Sequence, residues 1–315
     1  MKYPLAKILL FTFVALTLFA VSSYSAEMAL EKSEKGYKVL IDGQLFTEYI
    51  TNEKGAPILW PIVGPTGKKM TRNYPMLDSS KDSTLPEEKR DHPHQRSFWF
   101  THGEVNDVDF WAIDEKPGQH NKGKIRHDKF SQIQCDGKIA TIQSENSWVT
   151  PKNETLCTDR RTFSFSEEDG VRVIDFQIEL TGVADECKFG DTKEGTFGIR
   201  VASSMDVDAK KGGMIVNAQG KKDGDAWGQR SEWVEYSGPV EGETVALKIV
   251  DMPDSFRYPT YWHVRTYGLF AANPFGEHDF LNKQEKSGEY MLKKGETIRF
   301  HYQIYFSVTP VNPNQ

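Results

Sequence analysis

Three histidines, an arginine and several carboxylates fall within one stretch, Asp91-His92-Pro93-His94-Gln95-Arg96-Ser97-Phe98-Trp99-Phe100-Thr101-His102-Gly103-Glu104 and on to Asp109 and Trp111. Imidazoles take up and give back protons near neutral pH, and a pair of them also ligates metal ions. If Pro93 sits in an extended segment, His92 and His94 point to the same side, because side chains along a strand repeat with period two. A second cluster, Phe189-Gly190-Asp191-Thr192-Lys193-Glu194-Gly195-Thr196-Phe197-Gly198-Ile199-Arg200, offers Asp191 and Glu194 for general-base work or metal ligation. Arg200 suits a carboxylate or a sugar hydroxyl, and the glycines at 190, 195 and 198 would let backbone approach a ligand closely. In the third, Tyr261-Trp262-His263-Val264-Arg265-Thr266-Tyr267 and on to Asn273, an extended segment would line up Tyr261, His263, Arg265 and Tyr267 on one face. Rings interleaved with His and Arg match a sugar, whose C–H face stacks on aromatics while its hydroxyls take polar partners.

A site built from these pieces uses His92, His94, Asp191, Glu194 and His263 as reacting groups. Arg96, His102, Trp111, Arg200, Trp227, Arg265, Tyr267 and Asn273 are the candidates to hold the substrate. Each cluster also has a plainer explanation: a loop histidine bonded to backbone, a charged turn between strands, or core packing for Trp262 and Phe270. Trp227, Arg230 and Trp233 either line the same cleft or pin the preceding glycine-rich loop, and Asp159-Arg160-Arg161 reads as an ion pair or a strand-edge charge set. His120, His127, His278 and His301 lack polar company in the sequence and read as structural or surface residues. No nucleophile elbow, phosphate loop, dinucleotide fingerprint or HExxH motif occurs, which leaves serine hydrolases, nucleotide enzymes and zincins without support.

The elements that must position these groups are strands. Short β-branched and aromatic runs, broken by Gly, Pro, Asp and Asn about every ten residues, fill the chain from residue 36, and helical periodicity is missing. Residues 37–41 and 44–50 flank Asp42-Gly43, a hairpin signal. Further strands are expected at 126–134, 139–150, 159–165, 171–180, 196–203, 214–217, 233–236, 244–249, 269–272 and 297–307. The pattern predicts an all-β fold, a large antiparallel sandwich of two sheets, interrupted by long loops at 57–96 and 218–229 that frame the site.

The chain has 315 residues, 38% hydrophobic and 27% charged, with a formal net charge of −6 and no long basic run, which argues against nucleic acid as a partner. Residues 1–25 read as a secretory signal peptide: Lys2 and Lys7, an apolar run over 8–21, then Ser23 and Ser25 at the cleavage positions. The remainder, 26–315, is expected to be one exported sandwich domain with a frayed tail from 310 and no integral membrane association. Three cysteines, Cys135, Cys157 and Cys187, leave at least one unpaired within the chain. A Cys135–Cys157 bridge between neighbouring strands is the pairing considered, and no catalytic cysteine is expected.

Over about residues 36–307, the motifs at 91–103, 189–195 and 261–265 resemble a bacterial secreted family labelled PmoA. The family's first motif commonly runs His-Pro-His-His-Arg-Gly-Leu-Trp, and Gln95 stands here in place of its third histidine. The resemblance implies a supersandwich like that of galactose mutarotase, in a family found beside sugar-processing genes. Mutarotase-like sites use a histidine as general acid and a glutamate as general base on either side of a sugar ring. Methane oxidation, which the label suggests, is not expected of a chain without further apolar stretches of spanning length. An exported protein acting on a carbohydrate is expected, as an epimerase or mutarotase, lyase or hydrolase needing no cofactor. Two alternatives stay open: a non-catalytic carbohydrate-binding protein, and an enzyme in which His92, His94 and a carboxylate hold a divalent ion that polarises a sugar oxygen.

Overall fold

The computed structural model describes residues 26–85, 87–112 and 121–308; the expected signal peptide, His120 and the tail from 310 lie outside them. Strands β1 (Met28–Lys32), β2 (Gly36–Ile41), β3 (Gln44–Glu53) and β4 (Ala56–Leu59) come first, and a long irregular segment leads to β5 (Phe98–His102). An antiparallel meander follows: β6 (Lys124–Cys135), β7 (Ala140–Val149), β8 (Thr155–Glu168) and β9 (Val171–Gly182). Next come β10 (Glu186–Phe189), β11 (Gly195–Arg200), β12 (Met214–Asn217), β13 (Trp233–Val240) and β14 (Glu243–Asp251). The last are β15 (Trp262–Val264), β16 (Leu269–Ala272), β17 (Tyr290–Lys293) and β18 (Thr297–Ser307). At the hairpin expected at Asp42-Gly43, both residues take the left-handed backbone (φ 50° and 73°) and Ile41 pairs with Gln44.

Two eight-stranded antiparallel sheets result, ordered β1-β2-β3-β4-β5-β11-β16-β15 and β12-β13-β14-β18-β9-β8-β7-β6. The fold is all-β, as expected. Their inner faces meet ring to ring: Phe98 lies 5.2 Å from Phe176 and 5.6 Å from Phe163, and Phe100 lies 5.4 Å from Phe300. In the second sheet, β9 and β18 alternate buried and half-buried residues, the signature of one wet face. The centre of the first sheet differs. Strands β4, β5, β11, β15 and β16 are buried at every residue, because their outer face is covered too.

Two rows of side chains leave those strands. Phe98, Phe100, Phe197, Ile199, Trp262, Val264 and Phe270 enter the main core. Trp99, Leu269 and Ala271, with Ile50, Ile58 and Trp111, form a smaller apolar cluster on the other face. Period-two geometry assigns Thr101, Thr196, Arg200 and His263 to that outer face as well.

The expected charge set at 159–161 is in part a buried network. Asp159 accepts from Asn146 Nδ2 (2.6 Å), Trp148 Nε1 (2.7 Å) and Arg161 Nε and Nη2 (2.8 and 2.9 Å). Arg161 Nη2 also donates across the sandwich to Phe100 O at 3.2 Å, tying the second sheet to the first. Only Arg160 sits at the surface, paired with Glu179. His301 likewise departs from expectation: it bridges Asp175 (3.0 Å) and Asp254 (2.9 Å).

All three cysteines are free, so the Cys135–Cys157 bridge does not form; Cys135 is exposed on β6, while Cys157 and Cys187 are buried neighbours in the core. Burial, with Cys187 beside it, raises the Cys157 thiol well above its ordinary range and keeps it unreactive. A thiol reagent is therefore expected to modify Cys135 alone in the native protein and all three cysteines after denaturation. Rapid native labelling of a second cysteine would contradict this burial. No helix among the described residues is long and apolar enough to cross a membrane.

Candidate active site

A cleft of about 420 Å³ opens over the outer face of the first sheet. His92, His94 and Gln95 reach it from the segment before β5, and Thr192, Lys193 and Glu194 from the loop before β11. His263, Arg265 and Tyr267 come from β15 and the turn after it, while Glu104, Asp109 and Trp111, beyond β5, close the remaining side. Three sequence clusters more than sixty residues apart thus share one cavity.

The histidine wall is a turn and not the extended segment expected. His92 takes a left-handed backbone (φ 44°), and Gln95 N donates to His92 O at 2.9 Å. The turn brings the two imidazoles to 5.7 Å between ring centroids, nearly perpendicular at 81°. His92 stacks on Tyr267 (5.0 Å, 8°), and His94 lies 6.1 Å from Trp111. Arg72, fully buried, holds this turn by donating to the carbonyls of Lys89 (3.2 Å), Asp91 (3.0 Å) and His92 (3.1 Å) and to Asp91 Oδ1 (2.6 Å). Arg200 stands behind it, bonded to Gln95 Oε1 and 3.3 Å from Asp91 Oδ1. Gln95 in turn donates to the Tyr267 hydroxyl at 3.4 Å.

Burial keeps two of the imidazoles uncharged. It pushes His94 down to about 3, helped by His92 and neighbouring arginines. His263 also falls to about 3 by burial, although its bond to the Lys193 carbonyl works the other way. Both are neutral near pH 7. His263 Nδ1 donates to Lys193 O at 2.8 Å, which leaves Nε2 as the lone-pair nitrogen. His92 lies 3.2 Å from the Asp91 carboxylate. Burial would raise Asp91, but Arg200 and Arg72 together outweigh it and hold the carboxyl below the usual range. Asp109, raised by burial, accepts from Trp111 N (2.8 Å) and Ala112 N (3.0 Å).

The carboxylate wall is braced from below. Asn273 Nδ2 donates to Thr192 O (2.8 Å), Gly103 N to Glu194 O (2.7 Å), and Glu194 N to Thr192 Oγ1 (3.2 Å). The Glu194 side chain itself is 40% exposed, and among the described residues its carboxylate pairs with Lys193 Nζ alone, at 3.5 Å. Among the described residues, no three His, Cys, Asp or Glu side chains are grouped to hold a metal ion.

A family model described as a family of unknown function, DUF6807, matches residues 36–314. The chain belongs to this family. No curated protein matches it. Among solved structures, it is similar to the galactosidase domain of an α-galactosidase–sucrose kinase, AgaSK (11% identity, 89% of this chain and 42% of that one, TM-score 0.41). It is also similar to galactose 1-epimerase from Lactobacillus acidophilus NCFM (10% identity, 90% and 99% covered, TM-score 0.40). A third is α-galactosidase AgaA from Geobacillus stearothermophilus (10% identity, 89% and 40% covered, TM-score 0.41). The chain spans less than half the length of those two galactosidase chains. Likeness at this level does not bear on substrate or reaction. The PmoA label finds no support in these matches.

In this DUF6807 protein, several candidate residues stay out of the cleft. Asp191 is 2% exposed and accepts from the backbone of His278 (2.9 Å) and Gly288 (2.7 Å), so its carboxylate is spent on a neighbouring loop. Arg96 is buried against Glu53 O, and His102 donates to Gly190 O at 2.8 Å between Phe189 and Phe275. Arg200 and Asn273 lie beneath the walls and position them. Trp227 packs on Phe280 at 5.5 Å, Arg230 donates to Pro259 O at 2.7 Å, and the loop at 218–229 does not frame the site. Tyr261 faces Arg230 instead of continuing the row. The glycines at 190 and 195 make room for the protein's own side chains: a Cβ there would sit 2.6 Å from the Glu104 carboxyl and 2.4 Å from His102 Nδ1. Residues not singled out from sequence as candidates include Arg72, Glu104, Asp109 and Lys193, and Gln95 enters there only as a departure from a motif. Glu104 and Asp109 stood inside a polar-aromatic stretch already noted; Arg72 had no local signal.

Beneath Arg200 sits Asp206, 1% exposed, with Oδ1 unbonded among the described residues. Burial, outweighing Arg200, Lys89 and Arg72, pushes its carboxyl from 3.8 up to about 7. A carboxyl raised on folding stabilises fully below its unfolded value, and that contribution is lost as pH rises to the folded one. Asp206→Asn stays uncharged throughout. Relative to wild type, its stability is expected to gain about 1 kcal/mol per pH unit between pH 4 and 7 and to level off above. Urea unfolding across that range measures the difference, and a constant difference would refute the assignment.

Proposed function

We propose that the cleft binds a sugar and performs acid–base chemistry at its ring. One observation carries this reading: imidazoles, carboxylates and the rings of Trp111 and Tyr267 converge from distant segments on one cleft of about 420 Å³. That volume is of ligand size. Glu194 takes the base role, being the carboxylate at hand with an accessible side chain and a single loose partner. His92, beside the ionised Asp91, is the imidazole placed to give and regain a proton. His94 and His263, neutral, hold hydroxyls, and His263 does so as an acceptor through Nε2. Trp111 and Tyr267 supply the apolar wall. We further propose export, on the basic, apolar and small-residue order of residues 1–25.

The depression of His94 and His263 to about 3 favours a second reading, a binder without turnover, since a recognition site needs no group tuned near neutral pH. A panel of aldoses and uronic acids separates the two. Ligand-observed NMR reads binding, and exchange between anomeric resonances, or loss of starting sugar, reads turnover. Binding with accelerated exchange or conversion supports an enzyme, binding without either supports the binder, and no binding overturns both.

A further inference from the structure

Every carboxylate lining the cleft already has a protein partner. Glu194 has Lys193 Nζ at 3.5 Å, Glu104 has Lys286 Nζ at 3.6 Å, and Asp109 caps the backbone of Trp111 and Ala112. Lys193 is shared further with Asp279 at 4.0 Å. Arg265 is the exception among the cations. Its guanidinium makes no ion pair and no side-chain hydrogen bond among the described residues. It lies instead against two rings, 5.8 Å from Trp227 and 5.6 Å from Tyr267.

Aromatic faces on a guanidinium fix its plane while leaving its edge N–H groups unspent. An arginine that only braced the fold would turn those donors onto carbonyls, as Arg72 and Arg257 do here. We propose that the sugar taken by this cleft carries one negative charge, a carboxylate or a sulfate ester, seated on the edge of Arg265. The proposal rests on the carbohydrate reading above and narrows it to acidic sugars. A dianionic phosphate ester fits less well, because Lys193, the other lining cation, is committed to two carboxylates. The overall charge of −6 does not draw anions in from a distance, so recognition here is a short-range, hydrogen-bonded matter.

Calorimetric titration of the full chain with galacturonate, glucuronate, galactose 6-sulfate, galactose 6-phosphate, galactose and glucose tests this. At least one uronate or the sulfate ester is expected to bind about 10- to 100-fold more tightly than its neutral counterpart. A uronate preference assigns the charge to a carboxylate, and a preference for the 6-sulfate assigns it to a sulfate ester. Arg265→Gln should bring the acidic-to-neutral affinity ratio to within about twofold of one, and Arg265→Lys should keep part of it. Equal affinities in wild type, the tightest binding by the phosphate ester, or a ratio unchanged in Arg265→Gln would overturn the proposal. Tight binding of neutral sugars alone would do so while leaving the carbohydrate reading intact, whereas no binding at all would overturn both.

Discussion

If the proposed acid–base function holds, Glu194→Gln is expected to fold like the wild type, still bind sugar, and lose turnover by about 10²- to 10⁴-fold, the usual loss on removing a positioned general base. The expectation of normal folding follows from how little the side chain does for the structure. Its carboxylate is 40% exposed and, among the described residues, pairs only with Lys193, while the backbone of the loop is held by Asn273, Gly103 and Thr192. The amide keeps the shape and one acceptor and gives up the basicity. Asp191→Asn is the contrasting change: it disturbs a loop brace, so its effect should appear in the melting temperature before it appears in turnover. If Glu194→Gln retains more than about a tenth of wild-type turnover, the base lies elsewhere, and Glu104 is the next carboxylate in the cleft.

The largest effect on stability belongs to Asp159. Its replacement by alanine leaves Arg161 charged, buried and unpaired, and strands the Trp148 indole and the Asn146 amide with it. Breaking a buried pair from one side costs about 3–5 kcal/mol, which at this chain length lowers the melting temperature on the order of 10 °C. Removing both members together, as in Asp159→Leu with Arg161→Met, costs less than the single change, since no unpaired charge is left behind. Denaturant titration of the single and double variants gives the comparison. A loss below about 1 kcal/mol for Asp159→Ala would mean that Arg161 finds another partner.

Much of the fold could be read from the chain because the second sheet has a wet face. The alternation of 171–182 and 297–307 is the direct print of that geometry, and the Asp42-Gly43 turn shows itself through its backbone demands. The centre of the first sheet left no such print. Phe98–His102 and Trp262–Val264 are covered on both sides, so their sequences do not alternate and read as aromatic or functional stretches. The same concealment shaped the reading of the site. His92, His94, Glu194, His263, Trp111, Arg265 and Tyr267 were found by residue type and do share the cleft. Asp191, His102 and Asn273 are of the same types but spend their polar atoms on backbone. Only the fold decides whether a carboxylate meets a ligand or a neighbouring amide. Arg72 is the converse case, an unremarked loop residue that sets the histidine turn through contacts 17 to 20 positions away.

Strands β5, β11, β15 and β16 each send alternate side chains into the sandwich core and onto the outer face over which the cleft opens, and of that outer row His263 lines the cleft. Folding therefore constrains both rows within the strands, and the rest of the cleft wall comes from the segments that flank them. Substitutions in those flanking segments, at positions such as Arg265, can accumulate without eroding the core. A lineage built on this chassis can exchange its substrate while its core stays recognisable, and shared descent within it is a guide to architecture more than to reaction.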